Sequence, residues 1–494
     1  MNTFKGYLPA LIKATQKEKK TKENNFSLLL TIENTDSISK TLKLPVTIVN
    51  QSRIVGHYNN KYNKFRVEAF LPGFKVGASA FESGYMVCDN PTDEIVLHVK
   101  ATNFNNKGLK NYLDLSLNAK NDRINSLASW GNNKSKPFKA ELSSSPHFVM
   151  HEQEAGPAKL RTEIELNQSP IIVNDSLWQI EPSNIFIENG RIMIDNFYAY
   201  HDDQFIRLDG DVSKTPTDTL KLDLKDVELS YIFDIVNIPV LQFGGKATGT
   251  FNLNDLYGSR VLNTDLEIEN FSFNKVPFGK LNLYSEWDDQ QQGIMMLGSI
   301  YKNDSTWTDI NGFIYPVGEK SGLSLYFDAN DIDISFLQPF MQNIAKNIKG
   351  SGFGNVHLFG PFSKLTVEGE ALIKDGGLGI DYLNTYYTFT DSIHLTPETI
   401  RVKDLTLYDK DGNKGKVNGE VNHQFFRDFN FKATVQADNM LLYNATPRQN
   451  PQISGTAYGS GSATIQGNEQ LINFDINMRS NPGTSIALNF MEGS

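Results

Sequence analysis

The sequence is poor in the residues from which catalytic and metal-binding sites are built. Its 494 residues include a single cysteine, Cys88, so no intrachain disulfide can form and no paired-cysteine metal site is possible. The eight histidines are scattered along the chain. A glycine-rich phosphate loop, a nucleophile elbow and an HExxH zinc motif do not occur in the sequence. We therefore predict no cofactor, no metal site and no enzymatic activity.

Long hydrophobic runs and an excess of positive charge are also missing. No stretch approaches the roughly 20 apolar residues that a membrane-spanning helix needs. The 47 Lys and Arg are outnumbered by 57 Asp and Glu, which gives a net charge of −10 and disfavours a nucleic-acid partner. Aromatic residues are abundant, however, because 32 Phe and 19 Tyr provide the surface for a folded core.

Neither end of the sequence has a recognisable sorting or capping element. Residues 1–15 are mildly amphipathic and run into the charged residues 17–20, which is unlike a secretory signal. Residues 491–494 directly follow a strand-like run. The N-terminal residues fit either a cytosolic protein or an internal piece of a longer protein, and the C-terminal residues favour the internal piece.

Alternation of apolar and polar residues predicts β-strands along most of the chain. Residues 429–437 carry apolar side chains at odd positions, and residues 472–478 carry them at even positions. Strands with one apolar and one polar face belong to antiparallel or open sheets. We predict an all-β fold: an elongated, repetitive antiparallel β-groove, made by an open curled sheet, with a few short helices in the connections.

Asn-Gly and Asp-Gly pairs are typical of the turns between such strands. They occur at residues 189–190, 209–210, 311–312, 375–376, 411–412 and 418–419. One segment, residues 336–349, has apolar residues at helical spacing, with Ser335 as a possible N-cap and Gly350 at the end. We predict a helix there, packed in the core.

The chain repeats itself with a period of about 105 residues. Residues 222–232 align position by position with residues 327–337. Glycines recur at the same offset, as Gly245 and Gly249, Gly350 and Gly354, and Gly455 and Gly459. We interpret them as structural glycines at bulges and tight turns rather than as glycines of a ligand cleft.

The repeats divide the chain into five predicted segments. These are a degenerate N-terminal region, three repeat units and an incomplete last unit, at residues 1–112, 113–221, 222–326, 327–434 and 435–494. One such unit cannot bury its own apolar face, but stacked units can.

Two sets of residues are candidates for a functional role. Residues 409–413 with Glu420 resemble a calcium-binding loop, but Lys414 stands where that loop needs glycine, so a hairpin turn is predicted instead. The second set consists of alternating apolar residues that are predicted to line one groove face: Leu266, Ile268, Phe271, Phe273, Leu325, Phe327, Phe431, Val435, Phe474, Ile476 and Met478.

Two stretches of the repeat, residues 226–249 and 453–478, resemble the TamB translocation and assembly module family, in its Bacteroidetes form, within the AsmA-like repeating β-groove superfamily. The resemblance implies a non-enzymatic β-groove that spans the periplasm of the cell envelope and supports outer-membrane protein assembly, protein secretion and phospholipid transport. It makes residues 435–494 the start of the TamB C-terminal domain.

The partners that the resemblance implies are phospholipid acyl chains and an outer-membrane assembly barrel protein of the TamA or BamA type. It also implies attachment to the inner membrane through an N-terminal anchor outside this segment. Two other functions fit the pattern: a repetitive structural or adhesive β-protein without lipid cargo, with a closed interior, and a carbohydrate-active enzyme, with clustered exposed carboxylates.

The elongated shape can be tested in solution. A compact globule of this length has a radius of gyration of about 23 Å. We expect small-angle X-ray scattering to give a clearly larger value, because stacked units extend in one direction. A radius near the globular value contradicts the groove.

Overall fold

A computed structural model describes the chain at residues 6–11, 23–42, 46–59, 61–76, 79–104, 110–132, 138–152, 158–173, 176–230, 242–316, 321–341, 345–425, 427–468 and 470–489. Antiparallel strands make up most of these residues, and the helices between them are short, which confirms the predicted all-β class. The chain forms two compact units. The first contains Met1–Val227 and Asn252–Gly258, and the second contains Glu228–Phe251 and Ser259–Ser494.

The first unit holds the strands from β1 to β18 and the helix α1 (Asp36–Leu42). The strands are β1 (Asn25–Ile32), β2 (Val46–Ile48), β3 (Ser52–Asn59), β4 (Lys64–Leu71), β5 (Phe74–Val76), β6 (Ser79–Phe81), β7 (Ser83–Asp89), β8 (Ile95–Phe104), β9 (Lys110–Lys120), β10 (Arg123–Asn132), β11 (Phe138–His151), β12 (Lys159–Leu166), β13 (Ser169–Val173), β14 (Ser176–Ile180), β15 (Ser183–Glu188), β16 (Arg191–His201), β17 (Gln204–Val212) and β18 (Thr219–Glu228).

The main sheet of the first unit is a meander with one small separate sheet. Strands β1, β3, β4, β7, β8, β9, β10 and β11 pair in that order, each antiparallel to the next. Strands β2, β5 and β6 form the separate three-stranded sheet. Strands β13, β14 and β15 have only five or six residues each, and β11 pairs with both β12 and β13.

The second unit holds the longer strands, a 3-10 helix (Ile334–Leu337) and the one-turn helix α2 (Gln338–Met341). The strands are β19 (Phe243–Asn254), β20 (Val261–Phe273), β21 (Val276–Asp288), β22 (Gly293–Asn303), β23 (Thr306–Tyr315), β24 (Gly322–Asp333), β25 (Lys346–Pro361), β26 (Thr366–Ile380), β27 (Thr385–Thr396), β28 (Thr399–Tyr408), β29 (Lys414–Gln424), β30 (Arg427–Ala445), β31 (Ile453–Asn468), β32 (Ile472–Ser480) and β33 (Ser485–Leu488). From β20 to β32 each strand pairs antiparallel with the next one in the chain.

The predicted helix over residues 336–349 is wrong in its second half. The helical part ends at Met341, and residues from Lys346 onward belong to β25. The side chain of Gln338 explains the change, because its amide donates to the Ala345 carbonyl at 2.9 Å and accepts from the Ile348 N–H at 3.0 Å. These bonds hold the chain in an extended path instead of a continued helix.

Four of the six predicted Asn-Gly and Asp-Gly turns are also wrong. Residues 209–210, 311–312, 375–376 and 418–419 lie inside strands β17, β23, β26 and β29. Gly210 and Gly312 allow the close approach of a neighbouring backbone, and Gly376 leaves room for the Phe389 ring. A Cβ atom on Gly312 would lie 2.0 Å from the Ser324 carbonyl oxygen.

β-Bulges interrupt the long strands at recurring positions. Asp226, Asp331 and Asn439 all have positive φ, and they follow one another at intervals close to the sequence repeat. In the second unit the pairing register shifts beside two of them, in β24 and in β30. A bulge bends its strand and increases the local twist, so repeated bulges curl the sheet in the same place. The five segment boundaries remain predictions.

A matched pair of glycine variants tests this use of glycine. Gly312 and Gly412 both have positive φ, but a Cβ on Gly412 meets nothing within 4 Å. An alanine is strained at both φ values, but only at Gly312 does its Cβ also overlap a backbone oxygen. We expect Gly312→Ala to lower the denaturant midpoint clearly more than Gly412→Ala, and equal midpoints contradict the close approach.

Candidate functional site

One face of the second unit carries an unbroken apolar row across thirteen strands. Each member is the register partner of the next, from β20 to β32, and each is an aliphatic residue, a phenylalanine or a glycine. The apolar row consists of Leu266, Leu283, Gly298, Ile310, Phe327, Val356, Gly369, Leu395, Ile400, Val421, Phe431, Gly467 and Ile472. At about 4.8 Å per strand, the apolar row follows the sheet for roughly 58 Å.

The opposite face of the same strands carries a polar row. It consists of Glu267, Asn282, Ser299, Asp309, Asp328, Asn355, Glu370, His394, Arg401, Glu420, Lys432, Gln466 and Asn473. Arg401 and Glu420 form an ion pair at 2.9 Å with both side chains largely exposed, as expected for a solvated face. The sheet is therefore two-faced over its whole thirteen-strand width.

The predicted groove residues share the face of the apolar row. Leu266, Phe327 and Phe431 belong to the apolar row itself, and Leu325 lies two residues from Phe327 on the same strand. The other predicted residues are also related to the apolar row by even spacing or across a bulge: Ile268, Phe271, Phe273, Val435, Phe474, Ile476 and Met478. Their contact with lipid stays a prediction.

Exposure changes along this face. Most residues of the apolar row are half-buried, and at the last strand Ile472 is 43% exposed. Towards the bulged ends of the strands burial increases, and Met440, at 1% exposure, packs in a buried cluster with Tyr387 and Ala437. We call the bulged side the closed margin, defined by Tyr387, Met440 and Leu441. The apolar face is thus packed along one side and partly open along the other.

A tyrosine bridge forms the closed margin. The Tyr387 hydroxyl on β27 donates to the Leu441 carbonyl on β30 at 2.9 Å. These strands are three apart in the pairing order, which in a flat sheet is a separation of about 14 Å. The direct hydrogen bond therefore shows that the sheet curls sharply at this point. Burial raises the pKa of the Tyr387 hydroxyl, which stays protonated and able to donate.

Asp409 holds the same backbone segment from the neighbouring hairpin. Its carboxylate accepts hydrogen bonds from the Leu441 N–H at 2.7 Å and from the Asp411 and Asn413 backbone N–H groups at 2.9 Å each. Burial disfavours the charged form, but the hydrogen bonds outweigh it and lower the pKa of Asp409. The Asp409 carboxylate thus joins the hairpin turn at residues 409–413 to the backbone of β30.

A second type of contact closes each curl at a hairpin turn. The Asn274 side chain, in the turn after β20, donates to the Phe336 carbonyl of the 3-10 helix at 3.3 Å. The Asn384 side chain, in the turn after β26, donates to the Asn444 carbonyl near the end of β30. Phe336 and Asn444 lie 108 residues apart, and Asn274 and Asn384 lie 110 residues apart. Both intervals are close to the sequence repeat, so the same closure occurs twice. The sequence contains this repeat, but polar turn residues give no periodic signal by which it can be recognised.

The first unit has an apolar row of its own. Eight register partners run from β1 to β11, namely Leu30, Ile54, Ala69, Met86, Val99, Leu115, Ala128 and Leu142. Cys88 lies on the same face, two residues from Met86, and burial raises the pKa of its thiol.

The predicted structural glycines occupy constrained positions. Gly245, Gly350, Gly354 and Gly455 have positive φ. A Cβ on Gly249 would lie 2.2 Å from the Asp265 carbonyl oxygen, and one on Gly459 would lie 2.6 Å from a Leu442 methyl.

Across the described ranges, no cluster of three or more His, Cys, Asp or Glu could hold a metal ion. No helix in the part of the chain that the structure describes has the length and hydrophobicity to span a bilayer.

These features define a class: repetitive antiparallel sheets with one apolar and one polar face. The comparison with protein families agrees, because residues 403–493 match the TamB C-terminal domain. The match covers β29 to β33 and confirms the predicted resemblance to the TamB family. Searches of curated proteins and of solved structures found no match. The family match supports a place in the cell envelope and a role in outer-membrane assembly.

Asp409 makes the closed margin sensitive to acid. Because its pKa is lowered in the folded protein, its stabilisation is complete above about pH 4 and is lost as the pH falls through the lowered pKa. We expect Asp409→Asn to cost about 1–3 kcal/mol at neutral pH and to flatten the acid-dependent loss of stability. Asp411→Asn is the control, because the Asp411 carboxylate in the same turn accepts from the Tyr458 hydroxyl at 2.6 Å and not from the Leu441 N–H. Hydrogen exchange at the Leu441 amide reports the effect, and equal protection in both variants contradicts this role.

Proposed function

We propose that this chain is a non-enzymatic segment of a periplasm-spanning groove that carries phospholipid acyl chains along its apolar face. The single observation that carries the proposal is the apolar row, thirteen register partners without one polar side chain. A surface that only packs against its neighbours does not need such continuity across every strand. Half-burial of its members supports an accessible surface.

The energetics favour a continuous row. Burial of one CH₂ group stabilises by about 0.8 kcal/mol, so a 16-carbon tail in water costs on the order of 12 kcal/mol. A tail that moves from one strand to the next along the apolar row exchanges one apolar contact for another and never meets that barrier. The charged headgroup stays in water beyond the edge of the sheet.

The second part of the proposal concerns proteins of the envelope. The TamB match over residues 403–493 supports a partner in the outer membrane, an assembly barrel of the TamA or BamA type. We infer that the complete protein is anchored in the inner membrane and that it supports outer-membrane protein assembly and secretion. Neither activity needs a catalytic residue in this chain.

A structural or adhesive β-protein without lipid cargo is the alternative. The closed margin favours it, because Met440 and Leu441 are packed as in an ordinary core. If the whole apolar face were packed in this way, no acyl chain could reach it. The half-buried part of the apolar row is therefore the place at which the two functions differ.

Photo-crosslinking at adjacent positions separates these two functions. Phe327 belongs to the apolar row, and Tyr326 is its neighbour on the opposite face, 49% exposed. A photo-reactive phenylalanine at position 327, irradiated with phospholipid vesicles, is expected to give lipid adducts by mass spectrometry. The same group at position 326 is the control and gives none. Adducts to protein alone at position 327 contradict lipid transport and favour the structural alternative.

Charged substitutions at the same two positions test transport. An acyl chain that passes an ionised carboxylate must desolvate it, which costs several kcal/mol, and about 1.4 kcal/mol already slows a step tenfold. We expect Phe327→Asp to slow lipid transfer between vesicles more than about tenfold, with a melting temperature close to that of Tyr326→Asp. The acidic substitution at Phe431 or Phe474 acts in the same way. Equal transfer rates for the variants at 326 and 327 refute the apolar row as the path.

A further inference from the structure

A short N-terminal segment lies on the apolar face of the first unit. Tyr7 and Leu8 are only 4% and 8% exposed, and they pack against Ile95 and Ala119. Partly buried side chains surround this contact: Leu11, Phe65, Cys88, Ile124 and Phe148. Residues 7–11 belong to no strand of the sheet. Their side chains therefore pack onto the apolar face of the sheet as an added layer.

The register identifies this surface as part of the apolar face. Ile95 pairs with Ala119, and Ala119 pairs with Ile124. Ile95 lies four residues from Val99 of the first unit's apolar row, so both side chains point to the same side of β8. The segment therefore covers one margin of the face on which acyl chains are proposed to bind.

Polar groups hold the segment at defined points. The Asn90 side-chain amide donates to the Tyr7 hydroxyl at 2.9 Å, and the Asn63 amide approaches the same oxygen at 3.4 Å. The Asp122 N–H donates to the Tyr7 carbonyl at 2.9 Å, and its carboxylate accepts from the Ala10 N–H at 2.7 Å. These contacts join Tyr7 and Ala10 to residues of three connections between strands, Asn63, Asn90 and Asp122.

Asn90 is a fixed donor at the end of an apolar surface. It is 1% exposed, and its amide oxygen accepts from the Phe65 N–H at 2.8 Å, which sets the direction of its NH₂ group. The Tyr7 ring and hydroxyl occupy the site that this donor and the apolar side chains define. An acyl chain with an ester or carboxylate oxygen at its head has the same chemistry, an apolar body and one terminal acceptor.

We propose that residues 7–11 act as an intramolecular stopper that competes with an acyl chain for this position. The proposal rests on the lipid-carrying function proposed above. An acyl chain occupies this margin of the first unit only in the fraction of molecules whose stopper is released, so the apparent affinity there is reduced by that fraction. Weaker binding of the stopper therefore raises acyl-chain binding without any change in the sheet.

A tyrosine pair tests the stopper. Tyr7→Ala removes the ring and its hydrogen bonds, and Tyr62→Ala, at a side chain that is 68% exposed, is the matched control. The probe is a photo-reactive fatty acid, and adducts are counted by mass spectrometry at Val99 in the first unit and at Phe327 in the second. We expect Tyr7→Ala to raise adducts at Val99 about five- to tenfold and to leave those at Phe327 unchanged. Tyr62→Ala changes neither.

Two further outcomes keep the stopper and the lipid function apart. If hydrogen exchange shows a released segment in Tyr7→Ala while adducts at Val99 do not rise and those at Phe327 persist, the stopper is wrong and lipid binding stands. If neither site is labelled in any variant, the lipid function itself is wrong. Tyr7→Phe, which loses only the hydroxyl, is the second variant if the alanine protein fails to fold. It is expected to give a smaller rise at Val99, and no rise overturns the stopper.

Discussion

The structure depends on the two-residue period of the β-strand. Side chains alternate between the faces, so a one-residue slip in any pairing would exchange the apolar and polar rows from that strand onward. Twelve consecutive pairings, which join thirteen strands, preserve both rows without such an exchange. Burial of the apolar side chains at the closed margin sets the register, and the register in turn keeps the accessible part of the apolar row continuous.

Bulges reconcile a long strand with a narrow curl. A straight β30, nineteen residues long, could not return to the turn before β27, yet Asn439 and the register shift beside it bend the strand. Asn and Asp tolerate positive φ better than other non-glycine residues. The bend brings Leu441 within reach of both Tyr387 and Asp409. The bulge at Asn439 therefore makes possible the contacts that close the sheet at Leu441.

The sequence predicts the faces of the strands well and their ends less well. Alternation identified Phe327 and Phe431 on one side, because burial of one face leaves a direct trace in composition. The tyrosine bridge and the Asn274 and Asn384 contacts were not predicted, since single polar residues in turns have no period. The four wrongly predicted turns have a physical reason too. Asn-Gly and Asp-Gly pairs occur in hairpin turns, but a glycine is also needed inside a strand where a neighbouring group comes close.

The rows run across the strands, so every strand contributes one residue to each. The length of the apolar row is therefore counted in strands and is independent of how long any strand is. Insertion of one hairpin of matching register would lengthen it by about 10 Å and leave every other pairing unchanged. Gain or loss of hairpins can therefore lengthen or shorten both rows with no change in the chemistry of either face.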